Sequence, residues 1–167
     1  MNRIFKLSIM IATLILVDQF SKVAIEQYYL LGESTPLIEG FFSLTYVRNT
    51  GAAFGFGADA HDSIRKFLFL LIPVLVCFYL IYLIWVTRKQ KIYFSLAYSL
   101  ILSGAVGNLI DRFWLGYVVD FFHFYFKNYH YPAFNVADSC ITVGAAILIF
   151  DFMMEMIKKK GKRPRLP

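Results

Sequence analysis

The chain alternates long uncharged stretches with short clusters of charge. Phe67 to Val86 is an uncharged run of 20 residues and Ile92 to Ile110 one of 19. A helix rises about 1.5 Å per residue, so each run is long enough to cross about 30 Å of hydrocarbon. Two further spans are expected, from about Ile4 to Ala24, interrupted near its end by Asp18 and Lys22, and from about Ala133 to Met154, with Asp138 near its start. The predicted spans are therefore about 4–24, 67–87, 92–111 and 133–154 in a single membrane domain over 1–167. Four spans place both termini on one side.

Outside the spans lie two segments, about 25–66 and 112–132. Phe41 to Val47, FFSLTYV, alternates bulky and small side chains and is rich in strand formers. It predicts a small sheet, and the glycines of GAAFGFGA, from Gly51 onward, predict a mobile loop after it. Phe121 to Phe126, FFHFYF, with Tyr129 and Tyr131, supplies rings suited to the headgroup zone and is expected to form an interfacial floor. The expected fold is an all-α membrane protein, four transmembrane helices carrying a small extracytoplasmic β-sheet and a mobile loop at the outer surface.

Composition agrees: 59% of the 167 residues are hydrophobic and 19% aromatic, far more apolar than a soluble domain. The N-terminus, with Arg3 and Lys6 before an apolar stretch, resembles a secretory signal peptide, but no small-x-small cleavage site follows, so an uncleaved span is expected. Charge sets the orientation. Arg3, Lys6, Arg88, Lys89, Lys91 and the six basic residues of KKKGKRPR make 11 of the 17 Lys and Arg on one side, which should be cytoplasmic. Nine of the 11 acids fall on the other side. The basic tail needs no nucleic-acid partner, because a polybasic segment beside a span is attracted to anionic lipid. Cys77 and Cys140 lie within predicted spans and read as packing residues.

Polar residues inside the spans sort by helical spacing. Asp18 and Lys22 are four apart and read as a structural ion pair. Gly104, Asn108, Asp111 and Arg112 form a stripe on one face of the third span, with Asp111 and its neighbour Arg112 read as structural. Asn135, Asp138 and Thr142 continue the pattern in the fourth. All these stripes converge on the outer membrane surface. An ionised Asp at a bilayer centre costs roughly 2.5 to 3.5 kcal/mol, and less toward an interface, so these residues should face protein or water. Asp120, in VVDF just after the third span, can return to the same depth and face Asp138. Two close carboxylates share a proton, so one can activate a water while the other protonates a leaving group. That chemistry needs no metal or cofactor. His61, His123 and His130 lie in the outer segments without a HExxH or comparable spacing, so no metal site is expected. On these residues alone, catalysis and passage of a proton or ion are equally supported.

The motifs DQFSK (18–22), NTGAAFGF (49–56), GNLIDR (107–112), VVDF (118–121) and FNVADS (134–139) resemble, in order, the motif series of the bacterial lipoprotein signal peptidase family, signal peptidase II. That resemblance implies a multi-pass protein of the bacterial cytoplasmic membrane that is the target of peptide antibiotics of the globomycin type. It implies an aspartyl endopeptidase that cuts prolipoproteins before a diacylglyceryl-modified cysteine, with Asp120 and Asp138 as the catalytic dyad. Asn49, Gly104, Asn108, Arg112 and Asn135 match the family's polar shell, and Asp18 and Lys22 a pair that shapes the site. Membrane lipid is the expected surrounding, the expected state a monomer, and both termini are expected in the cytoplasm. The alternative from another class is a small proton- or ion-coupled transporter using Asp138, Asp18 and Asp111 as a relay. A relay needs carboxylates through the whole membrane depth, whereas here they cluster at the outer face.

Overall fold

The computed structural model of the chain describes residues 2–51 and 61–161. The glycine-rich loop expected after the sheet falls largely outside these residues. The long helices are α1 (Arg3–Tyr28), α3 (Ile72–Thr87), α4 (Ile92–Trp114) and α5 (Val136–Gly161), with a short α2 (Asp62–Lys66) and a π-helical turn, Phe67–Leu71, leading into α3. The wide turn ends two residues before Pro73, whose missing N–H and bulky ring forbid regular α hydrogen bonding back into the preceding turn. Four stretches are long and apolar enough to cross a membrane: Arg3–Tyr28, Phe67–Thr87, Ile92–Trp114 and Val136–Lys158. Three run past the ends expected from sequence, and in α1 and α4 the reason is that charge within the helix is buried and paired instead of terminating it. Their outward surface carries side chains such as Leu16, Phe20, Phe78 and Phe150, each at least half exposed, as a lipid-facing surface requires.

α4 is the central helix and packs most intimately on α5. A β-carbon on Gly104 would lie 2.1 Å from the Ala137 carbonyl oxygen, and one on Gly144 would lie 2.7 Å from the Ala97 carbonyl. Small residues let two membrane helices approach this closely where apolar side chains gain nothing over lipid. Ser99 and Ser103 are buried in the same helix and donate to carbonyls four residues back, at 2.7 Å each, so their hydroxyls need no partner across the interface. Gly104→Ala should push α5 away and lower stability by about 1–3 kcal/mol, the usual cost of overpacking. Thermal melting in detergent would check this, and an unchanged midpoint would contradict it.

The segments after the first and third spans pair into one antiparallel sheet of order β1-β2-β3-β4, formed by β1 (Ser34–Ile38), β2 (Phe42–Asn49), β3 (Val118–Phe126) and β4 (Tyr129–His130). The strand expected over Phe41 to Val47 is β2. The aromatic stretch expected as a floor is β3, with Val47 opposite Asp120 in the ladder. Its rings pack on one another: Phe42 stacks on Phe124 at 4.6 Å and Phe122 meets Phe134 at 5.6 Å. Tyr46 and Tyr117 both donate to Glu26 Oε1, at 2.8 and 3.0 Å, which ties β2 and β3 to the C-terminal end of α1. Arg48 donates to the Tyr46 hydroxyl at 2.7 Å and lies 4.6 Å from the centre of the Tyr117 ring. Burial, then hydrogen bonding to Tyr46 and Glu26, pushes the Tyr117 phenol up to about 12.

Candidate active site

Three separate elements meet below the sheet. Asp120 comes from β3, Asp138 from the first turn of α5, and Asn108 with Arg112 from the end of α4; all four line one cavity of about 450 Å³, together with Asn49. Asp120 is 2% exposed.

Neutral amides hold both carboxylates. For Asp120, Oδ1 accepts from Asn135 Nδ2 at 2.7 Å and Oδ2 from Asn49 Nδ2 at 3.0 Å. For Asp138, Oδ1 accepts from Asn108 Nδ2 at 2.8 Å and Oδ2 from the Asn135 backbone N–H at 3.2 Å. Each carboxylate oxygen thus has one donor and retains a second acceptor position toward the cavity. An amide orients a carboxylate in either protonation state, whereas a bidentate arginine would favour the anion.

Each of these amides is turned the right way by an independent donor. The Lys22 ammonium has no acceptor, so the Asn108 atom 3.0 Å from it is the oxygen and the NH₂ must face Asp138. The Asp138 backbone N–H donates to Asn135 Oδ1 at 2.9 Å, which turns the Asn135 NH₂ to Asp120. The Gly51 N–H donates to Asn49 Oδ1 at 3.0 Å and does the same for Asn49.

Asn135 and Asp138 also form a reciprocal capping box at the start of α5: the Asn135 side chain accepts from the Asp138 N–H, and the Asp138 side chain accepts from the Asn135 N–H. The spacing N-x-x-D just before an apolar run is a signal for this cap, and the sequence reading did not use it. The helix N-terminus places aligned amide dipoles behind Asp138.

Lys22 sits beneath this layer, 2% exposed, with its ammonium 2.9 Å from Asp18 Oδ2 and 3.0 Å from Asp111 Oδ2. Asp111, read from the sequence as structural beside Arg112, makes its ion pair with Lys22 and not with that neighbour. Asp111 turns into the bundle to Lys22 and also accepts from Gln19 Nε2 at 2.8 Å and from the Val119 N–H at 3.1 Å. The reason is geometric, since adjacent residues on a helix point about 100° apart and cannot face each other. The bond to Val119 anchors β3 one residue before Asp120. Asp18 likewise accepts from the Ala137 N–H at 2.8 Å, one residue before Asp138. The triad of charges therefore clamps both strands of chain that carry the cavity's carboxylates. Gln19 has no signal in the sequence beyond its place beside Asp18.

Arg112 reaches across the cavity mouth, donating to the Gly51 carbonyl at 2.9 Å. Its Nε is buried with no hydrogen-bond partner among the described residues. Gly104 lies outside the cavity lining and instead forms the α4–α5 contact already described. Among the described residues no group of three His, Cys, Asp or Glu side chains is arranged to hold a metal ion. His123 and His130 stack on each other on the sheet, with ring nitrogens 3.2 Å apart.

Burial, with the charge of Asp138 as the second cause, pushes Asp120 up to about 7, against the opposing pull of Asn49, Lys22 and Asn135.

Comparison with known proteins points to one family. A family model described as signal peptidase (SPase) II matches residues 10–154. A lipoprotein signal peptidase of Desulforapulum autotrophicum is 41% identical over 152 residues, covering 91% of this chain and 94% of the relative. One from Cupriavidus necator is 48% identical over 137 residues, 82% of this chain and 77% of the relative, and one from Geobacter sulfurreducens 45% over 157 residues, 94% and 96%. A solved structure described as a bacterial membrane enzyme, determined by the in meso method at 2.3 Å resolution, superposes with a TM-score of 0.81 at 28% identity, covering 98% of this chain and 97% of its own.

Proposed function

This chain belongs to the signal peptidase II family, and we propose that it is an intramembrane aspartyl endopeptidase that removes signal peptides from diacylglyceryl-modified prolipoproteins, cutting before the lipidated cysteine. The observation that carries this reading is the arrangement of Asp120 and Asp138 in one cavity, each carboxylate oxygen held by an amide donor and the pair poised to share a proton.

In the resting pair Asp120 holds the proton, as its burial favours, and Asp138 is the anion, supported by the helix N-terminus behind it. A water between them attacks the scissile carbonyl carbon, its proton passes to Asp138, and the Asp120 proton passes to the carbonyl oxygen. The resulting gem-diol collapses as Asp138 gives its proton to the departing amine nitrogen, breaking the C–N bond, and one diol hydroxyl returns its proton to Asp120. Arg112 at the cavity mouth binds a substrate backbone carbonyl and fixes the peptide's register. The site sits at the ends of α4 and α5 beside the sheet, where a lipidated substrate entering sideways from the bilayer brings its peptide bond to the boundary of acyl chains and water. The basic side of the chain faces the cytoplasm, with both termini, and the site faces outward. Inhibition by peptide antibiotics of the globomycin type and a monomeric state follow from the family resemblance.

The direct test is cleavage of a diacylglyceryl-modified prolipoprotein beside its unmodified precursor, with mass spectrometry of the product. Cleavage immediately before the modified cysteine, with the unmodified precursor cut at least a hundredfold more slowly, is expected. Equal rates, or a cut elsewhere, would refute the substrate assignment, and ion flux in proteoliposomes at transporter rates would revive the relay.

The pH dependence follows from the same pair. Below about 7 Asp120 keeps the proton the reaction uses; above it the second proton leaves and two anions face each other. The value of kcat/KM should fall with rising pH through about 7, approaching tenfold per pH unit. A flat profile from pH 6 to 9 would contradict the shared proton.

A further inference from the structure

A second cavity, of about 390 Å³, opens between α1, α3 and α4 at the end of the bundle away from the carboxylates. Ile4, Ile11 and Ile15 form its wall on α1, Ile81 and Trp85 on α3, and Leu102 on α4. None of its lining residues is charged. From Ile4 to Ile15 the α1 wall rises about 16 Å, roughly half of a bilayer's hydrocarbon thickness and so the depth of one leaflet.

The mouth has the opposite character. Trp85, which lines the groove, carries the Arg88 guanidinium 3.8 Å from its ring centre, and Arg88 donates to the Trp85 carbonyl. Arg3 donates to the Arg88 and Gln90 carbonyls at 2.7 Å each, drawing the start of α1 against the turn that holds Arg88 and Lys89. The acids on this side of the chain, Asp151 and Glu155, belong to α5, and Asp151 accepts from Tyr93 at 2.5 Å. The groove therefore joins an apolar slot of one-leaflet depth to a cationic rim through a single tryptophan.

We propose that this groove is a binding site for an anionic phospholipid of the leaflet that meets the chain's N-terminus, one acyl chain lying in the slot and the phosphate on Arg88 and Lys89. A guanidinium has five N–H donors, so the bond to the Trp85 carbonyl leaves Arg88 able to take two phosphate oxygens. The indole positions that guanidinium by a cation–π contact and forms the wall for the first methylenes. A zwitterionic lipid fills the slot equally well but brings its own cation to a basic rim, and that supplies the selectivity. The site is separate from the peptidase cavity and does not depend on the proposed reaction.

The chain contains two tryptophans, so Trp114→Phe leaves Trp85 as the sole indole, excited selectively over the tyrosines at the red edge of absorption. That protein, reconstituted in phosphatidylcholine vesicles, would be titrated with phosphatidylglycerol brominated on its acyl chains and, separately, with brominated phosphatidylcholine. Half-quenching is expected at a mole fraction roughly tenfold lower for the anionic lipid, the selectivity that one or two basic side chains supply. Arg88→Gln should bring the two curves together, and Ala12→Phe, which fills the slot from α1, should reduce quenching by both lipids. Prolipoprotein cleavage by each variant verifies its fold. Coincident curves in the Trp114→Phe protein, or a preference that survives Arg88→Gln, would overturn the proposal.

Discussion

Asp120→Asn and Asp138→Asn are each expected to lower kcat/KM for a diacylglyceryl-modified prolipoprotein by about 10³-fold or more, the scale at which a positioned acid or base contributes. The two changes differ in what else they disturb. Asparagine at 120 keeps one acceptor but turns an NH₂ toward either Asn49 or Asn135, both of which donate there. Asparagine at 138 loses an acceptor for the Asn108 amide or for the capping box, and a lost cap costs about 1 kcal/mol. Both variants should stay folded, with Asp138→Asn melting slightly lower. Removing both carboxylates together should cost no more than removing one, since a shared proton makes them one catalytic unit. Cleavage by gel shift, alongside melting in detergent, checks all of this; a folded single variant that cuts at the wild-type rate would sink the dyad.

Lys22→Met has the largest expected effect on stability. It leaves Asp18 and Asp111, which are 1% and 3% exposed, without the cation that both contact. Removing one partner of a buried ion pair costs about 3–5 kcal/mol, because the remaining charge is neither solvated nor paired. Protein that still folds should also lose activity, since the ammonium is the shorter of the two donors, with Asn135 Nδ2, that turn the Asn108 amide toward Asp138. Combining Lys22→Met with Asp18→Asn and Asp111→Asn removes the stranded charge and should recover most of the melting temperature. Activity should return only in part, because Asn108 Oδ1 then keeps the Asn135 amide at 3.2 Å but has lost the ammonium. A Lys22→Met protein that melts with the wild type would show that the buried triad carries neither role.

The capping box ties these two effects together. Asn135 and Asp138 begin α5 as an ordinary helix start, and the same four-residue stretch presents both a carboxylate and the amide that holds the other one. Stability and chemistry therefore draw on the same atoms. Substitutions at Asn135 should be harder to rescue than those at Asn49, whose side chain, among the described residues, bonds only to Asp120 and to Gly51.

What the linear chain determined by itself was everything periodic or local. Uncharged runs of 19 and 20 residues specify helices because a lipid-spanning backbone must satisfy its own hydrogen bonds. Lys and Arg are unevenly divided among the segments between spans, and that supports an orientation. Asp18 and Lys22 could be paired from sequence because four residues is one helical turn. The strand at Phe42–Asn49 was legible as an alternation, while Val118–Phe126 read only as an aromatic stretch because its partner lies about 75 residues away.

Only the tertiary structure decided which polar groups meet. Sequence neighbours on a helix point apart, so Asp111 leaves Arg112 and joins Lys22, and no local pattern announces that exchange. Gly104 reads as part of a polar stripe, yet its missing side chain matters because the Ala137 carbonyl occupies that space. The orientation of each amide depends on a donor from elsewhere in the fold: Lys22 of α1 turns Asn108 of α4, and the start of α5 turns Asn135 toward β3. Hydrogen bonds are directional and burial is collective, so these choices exist only once helices and sheet are packed together.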